Sequence, residues 1–272
     1  MAKAFVIDIG RCSGCYNCQL ACKDEHVDND WTPYAKPQPN AGQFWMRLTE
    51  HICGTVPKVK MHYLPTPCQH CEEAPCMPAC PVEGAIYRRD DGLVIIDPEK
   101  CDGCQGCVDA CPYDAIFMNE SLNIAQKCTG CAHLIDSGEW SVPRCADSCP
   151  TEAIKFGEEA EFKDLIAKAE VLKPSLGTKP RVYYLNIPKR WVGGTVYDPS
   201  ANEVVIGAKA TLSGAGGTYT ATTDSWGDFW LKDLPETGSY SLTIEAAGFK
   251  SKKIDNVDCA RDVNLGDIPL DK

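Results

Sequence analysis

From Trp191 onward the chain alternates apolar and polar positions: "GGTVYD", "VVIGAKATLSG", "GTYTATTD", "GDFWLKDL", "GSYSLTIEAAGF", "SKKIDNVD" and "DVNLGDIPL". A period of two, punctuated by Gly, Asp and Pro, predicts short strands that each bury one face. Strands at such regular intervals predict an all-β immunoglobulin-like sandwich over residues 191–272. "GAGG" at 214–217 reads as a hairpin turn within it. Upstream the pattern is broken. "AIYRRDDGLVII" predicts a hairpin that turns at Asp91-Gly92, and Phe162, Leu165 and Ile166 predict a short helix at the start of a Pro-rich connector over 160–190. Residues 23–67 hold Pro, Trp and Tyr without a clear period and read as an inserted loop. No stretch approaches the ~18 uncharged apolar residues of a membrane-spanning helix.

What interrupts the pattern before residue 160 is cysteine. The chain of 272 residues holds 18. Sixteen fall into four runs: Cys12, Cys15, Cys18 and Cys22; Cys68, Cys71, Cys76 and Cys80; Cys101, Cys104, Cys107 and Cys111; and Cys128, Cys131, Cys145 and Cys149. Disulfides suit small exported domains, and neighbouring Cys-x-x-Cys pairs would close only tiny loops. Zinc sites need two cysteine pairs, often with histidine, but not a third cysteine at the same interval and a fourth three residues on. Cys-x2-Cys-x2-Cys-x3-Cys-Pro is the bacterial ferredoxin pattern for [4Fe–4S] clusters, in which the fourth cysteine serves the other cluster of a pair. Runs one and three keep that spacing; run two widens one gap to four residues and run four widens one to thirteen. Four quartets predict four clusters, with all sixteen cysteines binding their iron.

The flanks repeat too. "VIDIGRC" at 6–12 parallels "IIDPEKC" at 95–101, and "CPVEGAIYR", "CPYDAIFM" and "CPTEAIKF" each follow a last cysteine with Pro, a turn and Ala-Ile entering a strand. The fixed φ of proline ends the ligand helix there. The predicted unit is strand, cluster loop, short helix, strand, so residues 1–190 form a duplicated ferredoxin-like domain and the whole chain is α+β with a C-terminal sandwich. Cys53 and Cys259 lie outside the runs and read as plain thiols. His26, His62, His70 and His133 read as hydrogen-bonding to backbone or to the cluster surroundings, since the cysteine count is complete. Trp31 and Trp45, in the 23–67 insert, read as caps that exclude water, with the insert also forming part of a subunit interface.

A row of clusters suggests a conductor in which the polypeptide supplies position and potential. No G-x-G-x-x-G and no C-x-x-C-H occurs, so nicotinamide, flavin and covalent haem are unsupported, and no catalytic constellation stands out. The net charge of −11 is spread over both halves: residues 1–190 carry 20 basic and 26 acidic side chains, residues 191–272 carry 7 and 12. Such a surface repels a phosphate backbone, so nucleic acid is not an expected partner. "MAKAFVIDIGRC" has no basic region followed by an apolar stretch, which favours the cytoplasm, although a subunit can be exported with a signal-bearing partner. The Asn119-Glu120-Ser121 sequon has no meaning in the cytoplasm.

With its four cysteine runs, residues 1–190 resemble the iron–sulfur electron-transfer (beta) subunits of DMSO reductase family molybdopterin oxidoreductases. "QKCTGCAHLID", "PRCA", "KPSLGTKPRVYY" and a terminal sandwich of carboxypeptidase-regulatory or Cna-B type are similar to the small subunits of pyrogallol–phloroglucinol transhydroxylase and resorcinol hydroxylase-like enzymes. The resemblance implies a large molybdenum or tungsten bis-pterin subunit as partner, acting on phenolic compounds by hydroxylation, dehydroxylation or transhydroxylation. It implies an external electron donor or acceptor, and a chain with no substrate chemistry of its own. It also implies the ligand sets: Cys12, Cys15, Cys18 with Cys149; Cys128, Cys131, Cys145 with Cys22; Cys68, Cys71, Cys76 with Cys111; Cys101, Cys104, Cys107 with Cys80. The transhydroxylase relative is shorter of cysteines, whereas all sixteen stand here, which favours net electron transfer. The alternatives are a polyferredoxin-type carrier of another respiratory reductase or hydrogenase, and a binding protein whose clusters only stabilise its fold.

Overall fold

A computed structural model describes residues 2–236 and 238–272. The chain divides into two compact units, one running to Glu50 and resuming over His62–Ile187, the other formed by His51–Met61 and Pro188–Lys272.

In the first unit, strand β1 (Lys3–Asp8) leads through a 3-10 turn into the first cysteine loop and helix α1 (Asn17–His26). A hairpin of β2 (Arg47–Thr55) and β3 (Lys58–Thr66) follows, its tip belonging to the second unit. Next come β4 (Ile86–Arg88) and β5 (Val94–Ile96), α2 (Gly106–Ala110), β6 (Ile116–Asn119) and β7 (Ile124–Lys127), α3 (Ala132–Ser137), α4 (Arg144–Asp147), β8 (Ile154–Glu158), α5 (Lys163–Ile166) and β9 (Val182–Leu185). Strand β1 lies between β8, antiparallel, and β9, parallel. The hairpins β4–β5 and β6–β7 are separate two-stranded ribbons. Each expected Ala-Ile entry is a strand start: Ile86, Ile116 and Ile154 open β4, β6 and β8. The hairpin expected at Asp91-Gly92 is β4–β5, with Gly92 at φ +85. Regular structure is sparse, and the buried core mixes apolar side chains, Phe5, Ile7, Trp45, Leu93, Phe156 and Tyr184 among them, with thiols. An isolated two-stranded ribbon is marginally stable at best in water.

The second unit is built the other way round. Strands β10 (Arg190–Asp198), β11 (Glu203–Val204), β12 (Lys209–Gly214), β13 (Gly217–Thr222), β14 (Asp228–Leu234), β15 (Ser239–Glu245), β16 (Lys252–Asp258) and β17 (Val263–Pro269) form two four-stranded sheets. One has the order β11-β10-β14 with β17 also on β10; the other is β13-β12-β15-β16. The alternation read from the sequence is the burial pattern: Tyr240, Leu242 and Ile244 are buried while Ser239 and Glu245 are exposed. Val192, Val196, Leu212, Phe229, Leu231, Leu242 and Ile244 from both sheets share one apolar core. Gly214 pairs with Gly217 across the expected two-residue turn. Within this unit the hairpin tip is anchored by Lys58 Nζ, 2.5 Å from Asp228 Oδ1, and by Asn264 Nδ2 donating to the Thr55 carbonyl. Among the described residues no helix is long and apolar enough to cross a membrane.

Candidate iron–sulfur centres

The loops that carry the thiols share one backbone device. In "CSGC", "CDGC" and "CTGC" the residue before the second cysteine is glycine, at φ +71, +77 and +66 for Gly14, Gly103 and Gly130. The left-handed turn lets the chain double back so that successive thiols face one point. A Cβ on Gly14 would lie 2.3 Å from the Tyr63 ring. Run two reads "CQHC", and His70 adopts the same region at φ +42. The loops of runs one and three then enter a helix whose first turn carries the next cysteine, Cys18 on α1 and Cys107 on α2; the run-four loop enters α3, and its next cysteine, Cys145, lies in the first turn of α4. Exposed N–H groups at such a helix start favour thiolate over thiol. Cys18 and Cys22 sit one turn apart on α1, so one helix serves two sites.

The fold sorts the sixteen thiols into four sets. Cys12, Cys15, Cys18 and Cys149 line one small cavity, with Leu48, Pro65 and Ile154. Cys68, Cys71, Cys76 and Cys111 line a second, with His70, Val94, Tyr113 and Ile116. Both are far smaller than the pockets that hold organic ligands, and thiols dominate their walls. The other two sets show in how the thiols repel one another. Burial, then Cys128 and Cys131, push the Cys22 thiol far up; burial, then Cys131, Cys22 and Cys128, do the same to Cys145. Burial and then Cys101, Cys76, Cys104 and Cys80 push Cys107 up to about 12.

Neighbouring sets also influence one another: Cys145 feels Cys18, Cys128 feels Cys68, and Cys107 feels Cys76. None of the eighteen cysteines is in a disulfide. Among the described residues no three His, Cys, Asp or Glu side chains converge closely enough to hold a single metal ion.

Backbone and side-chain donors reach several of the sulfurs. The N–H groups of Ala125, Gly130 and Ala153 lie 3.3, 3.4 and 3.3 Å from the sulfurs of Cys101, Cys128 and Cys149. Burial opposes ionisation of Cys149, but the Thr151 hydroxyl and three N–H groups outweigh it and pull the thiol down. The expected histidine roles divide. His26, fully buried, packs its ring 4.5 Å from Trp45 and brings Nε2 to 4.0 Å from Cys131 Sγ. His133 Nε2 lies 3.1 Å from Glu25 Oε1, and Trp31 stacks on its ring at 4.4 Å. His70 Nδ1 accepts the Val94 N–H at 3.1 Å. Trp45 is buried beside the Cys22 set, and Trp31 is half-buried over His133. The sequence reading missed the β2–β3 hairpin inside the insert, because it buries almost no face and so shows no alternation. It also missed Lys127, which is only 2 % exposed. In the second unit Cys259 is fully buried and Cys53 is half-buried, its thiol raised by burial and then by a hydrogen bond to Asp262.

Three family descriptions match parts of this chain. Residues 59–159 match the family described as 4Fe-4S dicluster domain, residues 9–28 the 4Fe-4S binding domain, and residues 192–270 the carboxypeptidase regulatory-like domain. The pyrogallol hydroxytransferase small subunit of Pelobacter acidigallici is 41% identical over 97% of this chain and 98% of its own length. The B component of the tetrathionate reductase of Salmonella typhimurium is 36% identical over 70% of this chain and 74% of its own. The B component of the anaerobic dimethyl sulfoxide reductase of Escherichia coli is 37% identical over 65% and 87%. Grouped thiols, two 4Fe-4S matches and a full-length relative meet in one conclusion: the chain belongs to the family of iron–sulfur electron-transfer subunits of molybdopterin oxidoreductases.

Proposed function

We propose that this chain holds four [4Fe–4S] clusters and conducts single electrons between a molybdopterin catalytic subunit acting on a phenolic ring and an external redox partner. The observation that carries the reading is the grouping of the thiols into sets of four, two of which line separate cavities, because one structural cluster would need a single set. The proposed ligands are Cys12, Cys15, Cys18 and Cys149; Cys22, Cys128, Cys131 and Cys145; Cys68, Cys71, Cys76 and Cys111; and Cys80, Cys101, Cys104 and Cys107. The donor chemistry fits. Burial and mutual repulsion push Cys18, Cys71 and Cys131 up to about 12, so these thiols stay protonated until a cation compensates them. Bound clusters of this class supply reversible one-electron storage. The chain's own residues set the spacing, hydrogen-bond the sulfurs and exclude water through Trp31, Trp45 and Phe5.

The 41% relative is named for pyrogallol, and that name, with the complete cysteine set, supports a phenolic substrate for the partner and net electron flow through this chain. In the same reading residues 1–190 are the conducting domain, 23–67 contributes a subunit contact, 160–190 is the connector, and 191–272 assists assembly. Ile52, Val56, Val59 and Met61, all exposed on the β2–β3 hairpin, support the subunit-contact part. The test is anaerobic purification of the native complex. The reading expects molybdenum or tungsten in a co-purifying large chain, and electron transfer through this chain that Cys104→Ser interrupts. Undiminished transfer in an iron-depleted Cys104→Ser complex would refute the relay.

A further inference from the structure

A cleft of about 560 Å³ opens in the second unit, within the ~300–1,000 Å³ range of small-molecule sites. Every residue lining it belongs to that unit, and none of the sixteen clustered cysteines is among them. Strands β16 and β17 supply two of its walls and residues 52–55 of the hairpin tip a third. Part of the lining is apolar: Ile254, Val263 and Leu265 pack against the sandwich core and remain half-buried at the cleft.

The rest of the lining is charged, and its two signs differ in how far they are engaged. Each acid has partners. Asp255 accepts from Lys253 at 2.8 Å and from Ser241 at 2.5 Å. Asp258 accepts the Ala260 N–H at 2.9 Å. Asp262, only 5 % exposed, accepts the Trp191 N–H at 3.0 Å and the Cys53 thiol. The guanidiniums are less committed. Arg190 reaches Asp262 only at 3.5 Å, its Nε is buried without a partner, and 34 % of its side chain is exposed. Among the described residues neither Arg261 nor the Asn256 amide has a hydrogen-bond or ion-pair partner, and both are exposed. In a chain of net charge −11, two under-paired guanidiniums on one cleft favour an anion there.

Both strand walls are sheet edges, and both are bulged. Strand β16 carries an extra residue opposite Tyr240–Leu242, with Asn256 at φ +60. Strand β17 carries one opposite Gly193–Thr195, with Gly266 at φ +68. A bulged edge is a poor template for an added strand but re-aims side chains, which favours a small molecule over an extended peptide. We infer that this cleft binds an aromatic carboxylic acid, its ring on Ile254, Val263 and Leu265 and its carboxylate held by Arg190 and Arg261, with Asn256 as a further donor. A planar guanidinium meets a carboxylate through two parallel hydrogen bonds, which fixes the orientation of the acid. No cluster takes part, so the site stands or falls apart from the electron-transfer reading.

The test is calorimetric titration of the full iron-loaded chain with naphthoate, benzoate, benzamide and inorganic phosphate. Both acids are expected to saturate one site, naphthoate more tightly because it buries more apolar area. Benzamide, which keeps the ring and lacks the charge, is expected to bind at least about tenfold more weakly than benzoate. Phosphate, an anion without a ring, is expected to bind more weakly than benzoate. Arg261→Gln is expected to weaken benzoate about tenfold, the loss of a charge-assisted hydrogen bond. Asn256→Gly, which keeps the left-handed backbone and removes the amide, is expected to weaken it by a smaller factor. Lys209→Gln, on β12 outside the cleft, is expected to bind as wild type. Benzamide as tight as benzoate, an unmoved affinity in Arg261→Gln, or an equal loss in Lys209→Gln would each overturn the inference. So would saturation by an acidic peptide without uptake of either aromatic acid. Should Arg261→Gln fail to keep the wild-type melting temperature, Asn256→Gly and the benzamide comparison decide.

Discussion

The two units of this chain solve the same problem, burying a centre, with opposite materials. In the second, sixteen side chains such as Val192, Leu212, Phe229 and Ile244 fill the space between two sheets, with one thiol, Cys259, among them. In the first, apolar side chains such as Phe5, Trp45, Leu93 and Tyr184 pack around sites that are lined by thiols, on two- and three-stranded ribbons. The comparison teaches that an apolar core is self-sufficient while a thiol core is conditional. Thiols repel one another as they ionise, and only bound cations reverse that. The first unit should therefore fold with its metal, and the second should fold without it.

The strongest way to break this comparison is to remove the iron. Anaerobic chelation of the full chain is expected to abolish protection of amide hydrogens in β1, β8 and β9, while β10, β12 and β15 stay protected in hydrogen exchange. Loss of both units together would show that the sandwich too depends on metal. Next in size, Phe229→Ala is expected to destabilise the sandwich by about 3–5 kcal/mol, a cost typical of truncating a fully buried aromatic. Iron per chain should be unchanged, checked by chemical denaturation beside metal analysis. Cys76→Ser is the matching change in the first unit. It is expected to lower bound iron by about a quarter, since one of four sites loses a ligand.

The smallest effect expected is at Asp228. Burial works against its ionisation, but the Lys58 ammonium and the Thr195 hydroxyl outweigh burial and hold the carboxyl below its ordinary 3.8. A depressed folded pKa stabilises above the unfolded value and is lost as pH falls through the folded one. Asp228→Asn should cost about 1–3 kcal/mol at neutral pH, because Lys58 is then buried without its partner. That difference should shrink as pH drops below 3.8, checked by parallel urea melts of the two proteins at pH 7 and in acid.

How much was legible in the sequence follows from how local each signal is. Cysteine spacing is local, so the runs and the Ala-Ile strand starts at Ile86, Ile116 and Ile154 were readable from the residues alone. The sandwich was readable because one-sided burial leaves a period of two, as in Tyr240, Leu242 and Ile244. Which thiols share a cluster was not derivable from spacing, since the proposed partners, such as Cys22 and Cys128, are far apart in sequence; only the family resemblance offered a pairing. The β2–β3 hairpin escaped because residues such as Ile52 and Val59 are exposed and carry no buried stripe. His70 had a signal, its place in the glycine position of the other loops, but its Val94 partner is distant in sequence. Lys127 had none, because lysine is ordinarily a surface residue.

The central claim is a conducting line of four clusters, and reductive titration of the anaerobically purified complex, with iron and acid-labile sulfide counted on the same sample, tests it most directly. The account predicts about sixteen iron atoms per chain, four for each of four sites, and about four electrons accepted one at a time. Half that iron or less, or full iron that accepts no electrons, would contradict it.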